Sequence, residues 1–598
     1  MCGIIGCVGR DDETLDVLMG GLANLEYRGY DSAGVALGPD IMAQKKSGQL
    51  DALRQMIDTD APSGTVGIGH TRWSTHGPPT DANAHPHTDE RNRVAVVHNG
   101  IIENYQTIKS ELQAEGVTFT SETDTEVIPH LIGRHLDSGH DTERAFHDAI
   151  DRLDGSYAVA VIFQDDERVF GARQGSPLVV GIDESATYLG SDVPAFVDHT
   201  RDVAFLEDGH RVVLDSDGWQ AFDDDRNRTD VSVETVSYTA EDTGKSGYDH
   251  YMLKEINEQP TSLRQCISGR TDELEGTITV DEIGKIPEPD AVHFVACGTS
   301  YHAAMYAASL LRAAGIRAEA YLASEYAVAP APLTLGTLVV GITQSGETAD
   351  TLAALREAMA RGASTLTVTN TVNSTAAREC DHAMYIRAGP EIGVAATKTF
   401  SSQLVACNLL FEQLIDQPTD HRQLIDALRD LPGHVQEILD TTNVHALVEE
   451  FKDDDAYFFI GRGRDYPVAL EGALKCKEIT YEHAEGFAAG ELKHGPLALV
   501  TKQTPVFAVV TGDGERTQKT CGNIKEVQAR EAPVVAVAPE SSEAAELADY
   551  VLPIPETNSR VAPVLANVQL QLFSYYLAAS MGRPIDKPRN LAKSVTVE

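Results

Sequence analysis

Short apolar runs bounded by turn formers dominate the first 235 positions. GTVGIGHTRW, RVAVVHNG, SYAVAVIF and HRVVLDSDG read as β-strands, with a few helices between them. This pattern predicts an α+β unit built on stacked sheets. Between about 238 and 285 the text turns polar and rich in turn formers (YTAEDTGKSGYDHYMLKEINEQP), as expected of an exposed hinge leading into a helix, and places the main boundary near Ala240. Beyond it, apolar strands alternate with long helices, the signature of parallel α/β folds.

This second half looks duplicated. AVHFVACGTS, with a helix from about Tyr301, recurs as AYFFIGRGRD followed by PVALEGALKCKE. TLVVGITQSGETADTL recurs as TPVFAVVTGDGERTQ, and ASTLTVTN as APVVAVAP. The expected organisation is a first domain over 2–235, a linker and entry helix over 236–285, two similar α/β domains with parallel sheets over 286–430 and 447–585, and a tail over 586–598.

Composition narrows the partners. Among 598 residues, 91 acidic side chains face 48 basic ones, a formal net charge of −43, so nucleic acid and anionic membranes are poor partners. The excess is dispersed (DDET, TDANAHPHTDE, FKDDDAY), as on a solvated acidic surface relieved by high salt. Eight scattered cysteines without C-x-x-C spacing indicate a reduced protein. No signal peptide and no membrane-spanning run is legible, so a cytoplasmic location is expected.

The first candidate chemistry lies at the N-terminus. Cys2 is followed by glycine, so removal of Met1 would leave its own α-amine as base for its thiol. That amine titrates at about 7.7–8.0, close to working pH. A small buried hydrophobe on a strand is the alternative. His70, His76, His85 and His87 fit no usual zinc spacing, and no metal is expected.

MCGIIG, YRGYDSAG, GIGHTRWSTHG, HNGIIEN and SETDTEV, in this order, resemble the class II glutamine amidotransferase domain over essentially the first 235 residues. The resemblance implies an N-terminal-nucleophile glutaminase with stacked sheets. Amide hydrolysis builds a tetrahedral oxyanion, for which the Asn99 side chain and the Gly100 backbone N–H are candidate donors. Glutamine is a zwitterion, which Arg72 and Asp124 can clasp at its carboxylate and ammonium. By resemblance Thr75 and His76 also line this pocket, and Trp73 gates the path of ammonia. Taken singly, Arg72 also reads as a surface ion pair, Asn99-Gly100 as a turn and Asp124 as a helix cap.

The second candidate site is a phosphate cradle. Thr343, Gln344, Ser345 and Thr348 belong to TQSGET, a loop between an apolar strand and a helix, where hydroxyls and backbone N–H groups attract an anion without any lysine. Thr299 and Ser300, in the matching CGTS loop, make convergence on a phosphosugar plausible; no Walker lysine or G-x-G-x-x-G points to a nucleotide. As isolated features these loops are N-caps and turns.

The two domains resemble sugar isomerase domains, and the whole chain resembles the glutamine–fructose-6-phosphate aminotransferase family, most specifically through EGALKCKE, HAEGFAAGELKHGPLAL and LAKSVTVE. The resemblance implies that His494 opens the sugar ring, Lys593 forms an imine at C2, Glu478 shuttles the proton between C1 and C2, and Lys475 supports developing charge. It also implies Val394 at the sugar, no cofactor, glutamine and fructose 6-phosphate as substrates, and a homodimer in which His494 reaches the neighbouring subunit's sugar. Read without the resemblance, Glu471–Lys475 and Lys475–Glu478 are surface ion pairs, His494 marks a turn and Lys593 is a solvated tail residue. The family usually has serine where this chain has Thr343 and Ala396, and Thr397 is the expected substitute for the hydroxyl lost at Ala396.

Another amidotransferase would share the first domain but carry a different acceptor fold. A phosphosugar-sensing module would need neither Cys2 nor Lys593 and would carry a DNA-binding helix-turn-helix, which the sequence lacks and its charge opposes.

Overall fold

Strand period and helix period sort the residues into layers. The structure is a computed structural model that describes residues 2–10, 13–73, 77–236, 244–272, 274–415 and 421–596. The chain divides into two units, Met1–Gly244 with Ala592–Glu598, and Lys245–Leu591. Ala240, the expected boundary, lies outside the described residues, as do Thr75 and His76. The tail that the sequence reading kept whole is split, with its last seven residues belonging to the first unit.

In the first unit, antiparallel sheets of eight and seven strands are seen among the described residues. Their site-bearing elements are β1 (Gly3–Val8), α1 (Thr14–Leu25), β2 (Val66–Arg72), β3 (Val94–Ile102), α2 (Val127–Asp137) and α3 (Thr142–Ile150). Successive side chains of a strand point to opposite faces. Ile4 and Val8 of β1 meet Ala95 and Val97 of β3 in a core between the sheets. Ile5 and Cys7 instead pack with Leu18 and Leu22 of α1, while Val94 and Val96 pack with residues of α2 and α3. The result is a helix–sheet–sheet–helix stack, the expected stacked-sheet unit.

The second unit holds two five-stranded parallel sheets. Their first and third strands, each followed by a helix, are β4 (Ala291–Ala296), α4 (Gly298–Ala313), β5 (Thr337–Thr343) and α5 (Ala349–Ala360), then β6 (Ala456–Gly461), α6 (Asp465–Thr480), β7 (Val506–Val509) and α7 (Glu515–Gln528). Both sheets have the order 2-1-3-4-5. In that order the connections leave the sheet in opposite directions after strands 1 and 3, opening a crevice at their carboxyl ends. The loops there in the first sheet are CGTS and TQSGET, so topology alone brings the two candidate loops together. Helix α4 starts three residues before the expected Tyr301, because Cys297 is already the extended N-cap residue. Among the described residues, no helix is long and apolar enough to cross a membrane.

Candidate functional site

Cys2 precedes β1, whose partner β2 runs antiparallel and ends at Arg72, so the pairing Gly3↔Thr71 delivers Trp73 to the thiol. The Trp73 N–H donates to Cys2 Sγ at 3.2 Å, and the thiol lies 3.5 Å from the Trp73 carbonyl. Burial pushes the Cys2 thiol up, so a base must assist its ionisation. Asn99 comes from the other sheet and donates from Nδ2 to the Cys2 carbonyl oxygen at 2.9 Å. Next to it Gly100 has φ +117°, and a Cβ there would sit 1.9 Å from the Ser156 carbonyl oxygen, so no other residue fits. Cys2, Asn99, Gly100, Trp73 and Arg28 line one cavity, closed by Ala592, Val595 and Thr596 of the tail.

Arg72 is buried, not a surface ion-pair partner, and its guanidinium donates to the Gly77 carbonyl at 3.4 Å. Asp124 caps no helix: α2 begins at Val127, and Asp124 Oδ2 accepts the Ile102 N–H at 2.8 Å. Its carboxylate is therefore tied to the end of β3, two residues beyond Gly100.

Behind Asn99 lies a feature that the sequence reading missed. His70 Nε2 is 3.0 Å from both the His98 carbonyl oxygen and Asn99 Oδ1. A carbonyl can only accept, so Nε2 carries the proton and Asn99 is fixed with its amide nitrogen toward Cys2. His70 stacks on His85 with ring centroids 4.2 Å apart, and His85 meets His87 edge-on at 4.9 Å. Burial lowers His70 to about 3 and holds His85 and His87 well below their usual range, so all three are neutral at working pH. H-T-R on one strand was the available signal, but histidine periodicity does not reveal which amide it orients.

In the second unit, Thr343 ends β5 with its hydroxyl 3.1 Å from that of Thr348 and accepting the Gly346 N–H at 3.2 Å. Gln344, Ser345 and Thr348 are half-buried along the loop, and the Ser345 hydroxyl accepts the Glu347 N–H at 3.1 Å. Ser300, in the first turn of α4, accepts from Gln403 Nε2 at 2.9 Å. Val394 is buried, its N–H donating to the Asp586 carbonyl at 3.2 Å. The expected compensation by Thr397 is corrected: that residue is fully buried, its hydroxyl faces the Glu391 carboxylate at 3.5 Å, and it offers nothing to a ligand.

The ion pairs on α6 are likewise not surface pairs. Lys475 Nζ lies 2.6 Å from Glu478 and 3.4 Å from Glu471, and donates to the Thr299 hydroxyl at 3.1 Å. Glu471 accepts from Thr299 at 3.0 Å and meets His302 at 2.7 Å. Lys475 and Glu471 are 1% and 0% exposed at the side chain, while Glu478 keeps 19%, so of the three it is the one open to a substrate. Burial disfavours the Lys475 ammonium, but Glu478 and Glu471 outweigh it and raise its pKa. Glu471, Thr299 and His302 thus join the first and second repeats. His494 is exposed at the end of a 3-10 turn, Glu491–His494, and half-buried Lys593 belongs to the tail segment of the first unit. Within the second unit the structure brings Thr299, Lys475 and Glu478 together.

The sequence matches the glutamine amidotransferase domain over residues 70–198 and the SIS domain over 285–413 and 450–581. It is 50% identical over 610 residues to the glutamine–fructose-6-phosphate aminotransferase (isomerizing) of Halobacterium salinarum, with 100% of both chains covered. It is 47% identical over 614 residues to the enzyme of the same description from Symbiobacterium thermophilum, again with 100% of both covered. The solved C-terminal domain of glucosamine-fructose-6-phosphate aminotransferase from Francisella tularensis is 38% identical, with a TM-score of 0.54, over 58% of this chain and 99% of that one.

Proposed function

From the chain's membership of the glutamine–fructose-6-phosphate aminotransferase (isomerizing) family, which its full-length identity shows, we propose how its residues divide the reaction. The enzyme makes glucosamine 6-phosphate and glutamate from fructose 6-phosphate and glutamine, a step of amino-sugar biosynthesis.

Cys2, freed of Met1, attacks the glutamine carboxamide after its α-amine takes the thiol proton. Arg72 and Asp124 hold the substrate's carboxylate and ammonium, with Thr75 and His76 beside them, and Asn99 Nδ2 and the Gly100 N–H stabilise the oxyanion. Ammonia leaves, water hydrolyses the thioester to glutamate, and Trp73 gates the way out. The hydrogen bond from Asn99 to Cys2 carries this reading, because it sets an amide donor within one residue's width of the nucleophile.

The sugar phosphate lies against Thr299, Ser300, Thr343, Gln344, Ser345 and Thr348, with Val394 flanking. His494 opens the ring, Lys593 condenses with the C2 carbonyl, ammonia displaces the lysine, and Glu478 moves a proton from C1 to C2. Lys475, held charged by two carboxylates, steadies the oxygen charge that develops. His494 serves the sugar of the neighbouring subunit in a homodimer, and no cofactor takes part.

A coupled assay following glutamate and aminosugar tests the assignment. Cys2→Ala should lose glutamine use and keep isomerase activity, whereas Lys593→Ala should lose aminosugar formation. Glutamine-dependent synthesis surviving in Cys2→Ala would end it.

A further inference from the structure

Away from the glutamine pocket, helix α2 ends in a turn that places two histidines side by side. Gly139, with φ +87°, stands just past the helix, the His140 N–H donates to the His135 carbonyl at 3.2 Å, and the Gly139 N–H donates to that of Leu136 at 3.0 Å. These two bonds define the glycine-terminated helix cap in which the side chains at the first and last positions of the turn meet. An apolar contact usually occupies that pair. Here it is His135 and His140, whose rings lie nearly parallel with centroids 5.5 Å apart.

His135 lacks the partner that burial demands, and His140 has only a carboxylate beside it. His135 Nε2 and His140 Nδ1 are both buried atoms without a hydrogen bond. A buried nitrogen left without a hydrogen bond is unfavourable, so His135 Nε2, beside a second imidazole and a carboxylate, calls for a ligand. The third group arrives from α3: Asp148 Oδ2 lies 3.0 Å from His140 Nδ1, yet the two do not meet in hydrogen-bond geometry. One donor atom from each of the three residues lies within 4.8 Å of the others. Tetrahedral zinc, with bonds of about 2.0–2.2 Å, holds its donors roughly 3.4 Å apart, so closure needs side-chain shifts on the order of 1 Å.

We propose that His135, His140 and Asp148 form a binding site for a divalent transition metal ion of the zinc type, pinning the last turn of α2 to α3. The chemistry of the set, two imidazoles and one carboxylate, selects such an ion over magnesium or calcium. Arg226 contacts the other oxygen, Asp148 Oδ1, at 2.7 Å, and so orients Oδ2 as an outer partner would. Arg144, 3.6 Å from Oδ2, is 64% exposed and free to swing outward. His70, His76, His85 and His87 have no zinc spacing; the set here is H-x4-H closed by an aspartate eight residues on.

Zinc and cobalt(II) titrations of the chelator-stripped full chain test the site. In both the wild type and Cys2→Ala, which removes a competing thiol, one equivalent should bind. Cobalt should show the intense visible bands of a tetrahedral site, and saturating zinc should raise the melting temperature by roughly 5 °C. His140→Gln and His135→Gln should each weaken binding at least about 100-fold. Unchanged stoichiometry and affinity in folded His140→Gln overturns the proposal. So does a wild type that takes up no zinc and melts at the same temperature with and without it, which would leave His140–Asp148 as a plain ion pair.

Discussion

The side-chain amide of Asn99 donates to the carbonyl oxygen of Cys2 at 2.9 Å, across the two sheets of the first unit. An amide so placed is preorganised for an oxyanion forming beside Cys2. Asn99→Ala should therefore lower kcat for glutamine hydrolysis by about 10²–10³-fold with little change in KM, the effect of losing one such donor. Asn99→Asp, which keeps the shape but cannot donate, should be as poor. Steady-state glutaminase kinetics decide it, and an active Asn99→Asp would remove the donor role.

The orientation of Asn99 depends on His70. Because His70 Nε2 donates to Asn99 Oδ1, His70→Leu frees the amide to rotate and should cost about 10-fold in kcat, as loss of an orienting partner typically does. His70→Gln, whose amide can still donate, should recover most of it. Equal losses in both variants would mean that the ring packs rather than orients.

Acid should undermine the first unit early. His70, His85 and His87 are held neutral by burial, with His70 lowered to about 3. Unfolded histidine titrates near 6.5, so below that pH the unfolded chain binds more protons than the native one. Stability is then complete above about 6.5 and falls as pH drops toward 3, by about 1.4 kcal/mol per pH unit for each imidazole. Melting temperatures of the chain between pH 7.5 and 4.5 test this. A flat profile across that range contradicts it.

The layers were legible because strand alternation is local: Ala95 and Val97 against Val94 and Val96 announce two buried faces before any fold is known. The motifs around Cys2, Asn99 and Thr343 were legible for the same reason, being contiguous text. What remained hidden is contact between distant positions. His70 and Asn99 are 29 residues apart, and Glu471 and Thr299 172 apart, so neither pairing leaves a local trace. Burial was hidden too. The spacing of Glu471, Lys475 and Glu478 suits an exposed ladder equally well, and only the packing of α6 decides between them.

Salt should stabilise the molecule. With 91 acidic against 48 basic residues, self-repulsion opposes compaction, and counterions screen it over about 10 Å at 0.1 M and 3 Å at 1 M. Melting temperature should climb with potassium chloride up to molar concentrations. Full stability in dilute buffer would show that the surface acids are already neutralised by their neighbours.

Glu471 should prove as necessary to the sugar half as the residues named by resemblance. It is 0% exposed and bonded at once to Lys475, Thr299 and His302, so it positions an ammonium from one repeat against a loop of the other. Glu471→Gln keeps the volume but removes the charge, leaving Lys475 with Glu478 as its remaining contacting carboxylate. Breaking a buried pair from one side costs on the order of 3 kcal/mol, visible as a lower denaturant midpoint. With one carboxylate gone the Lys475 pKa falls, and Glu478, drawn more tightly to the lysine, becomes a poorer proton shuttle. Aminosugar synthesis should then drop while sugar-independent glutamine hydrolysis persists, since Cys2 and its partners lie in the other unit. Equal loss of both activities would point to global unfolding, and loss of neither would reduce Glu471 to packing.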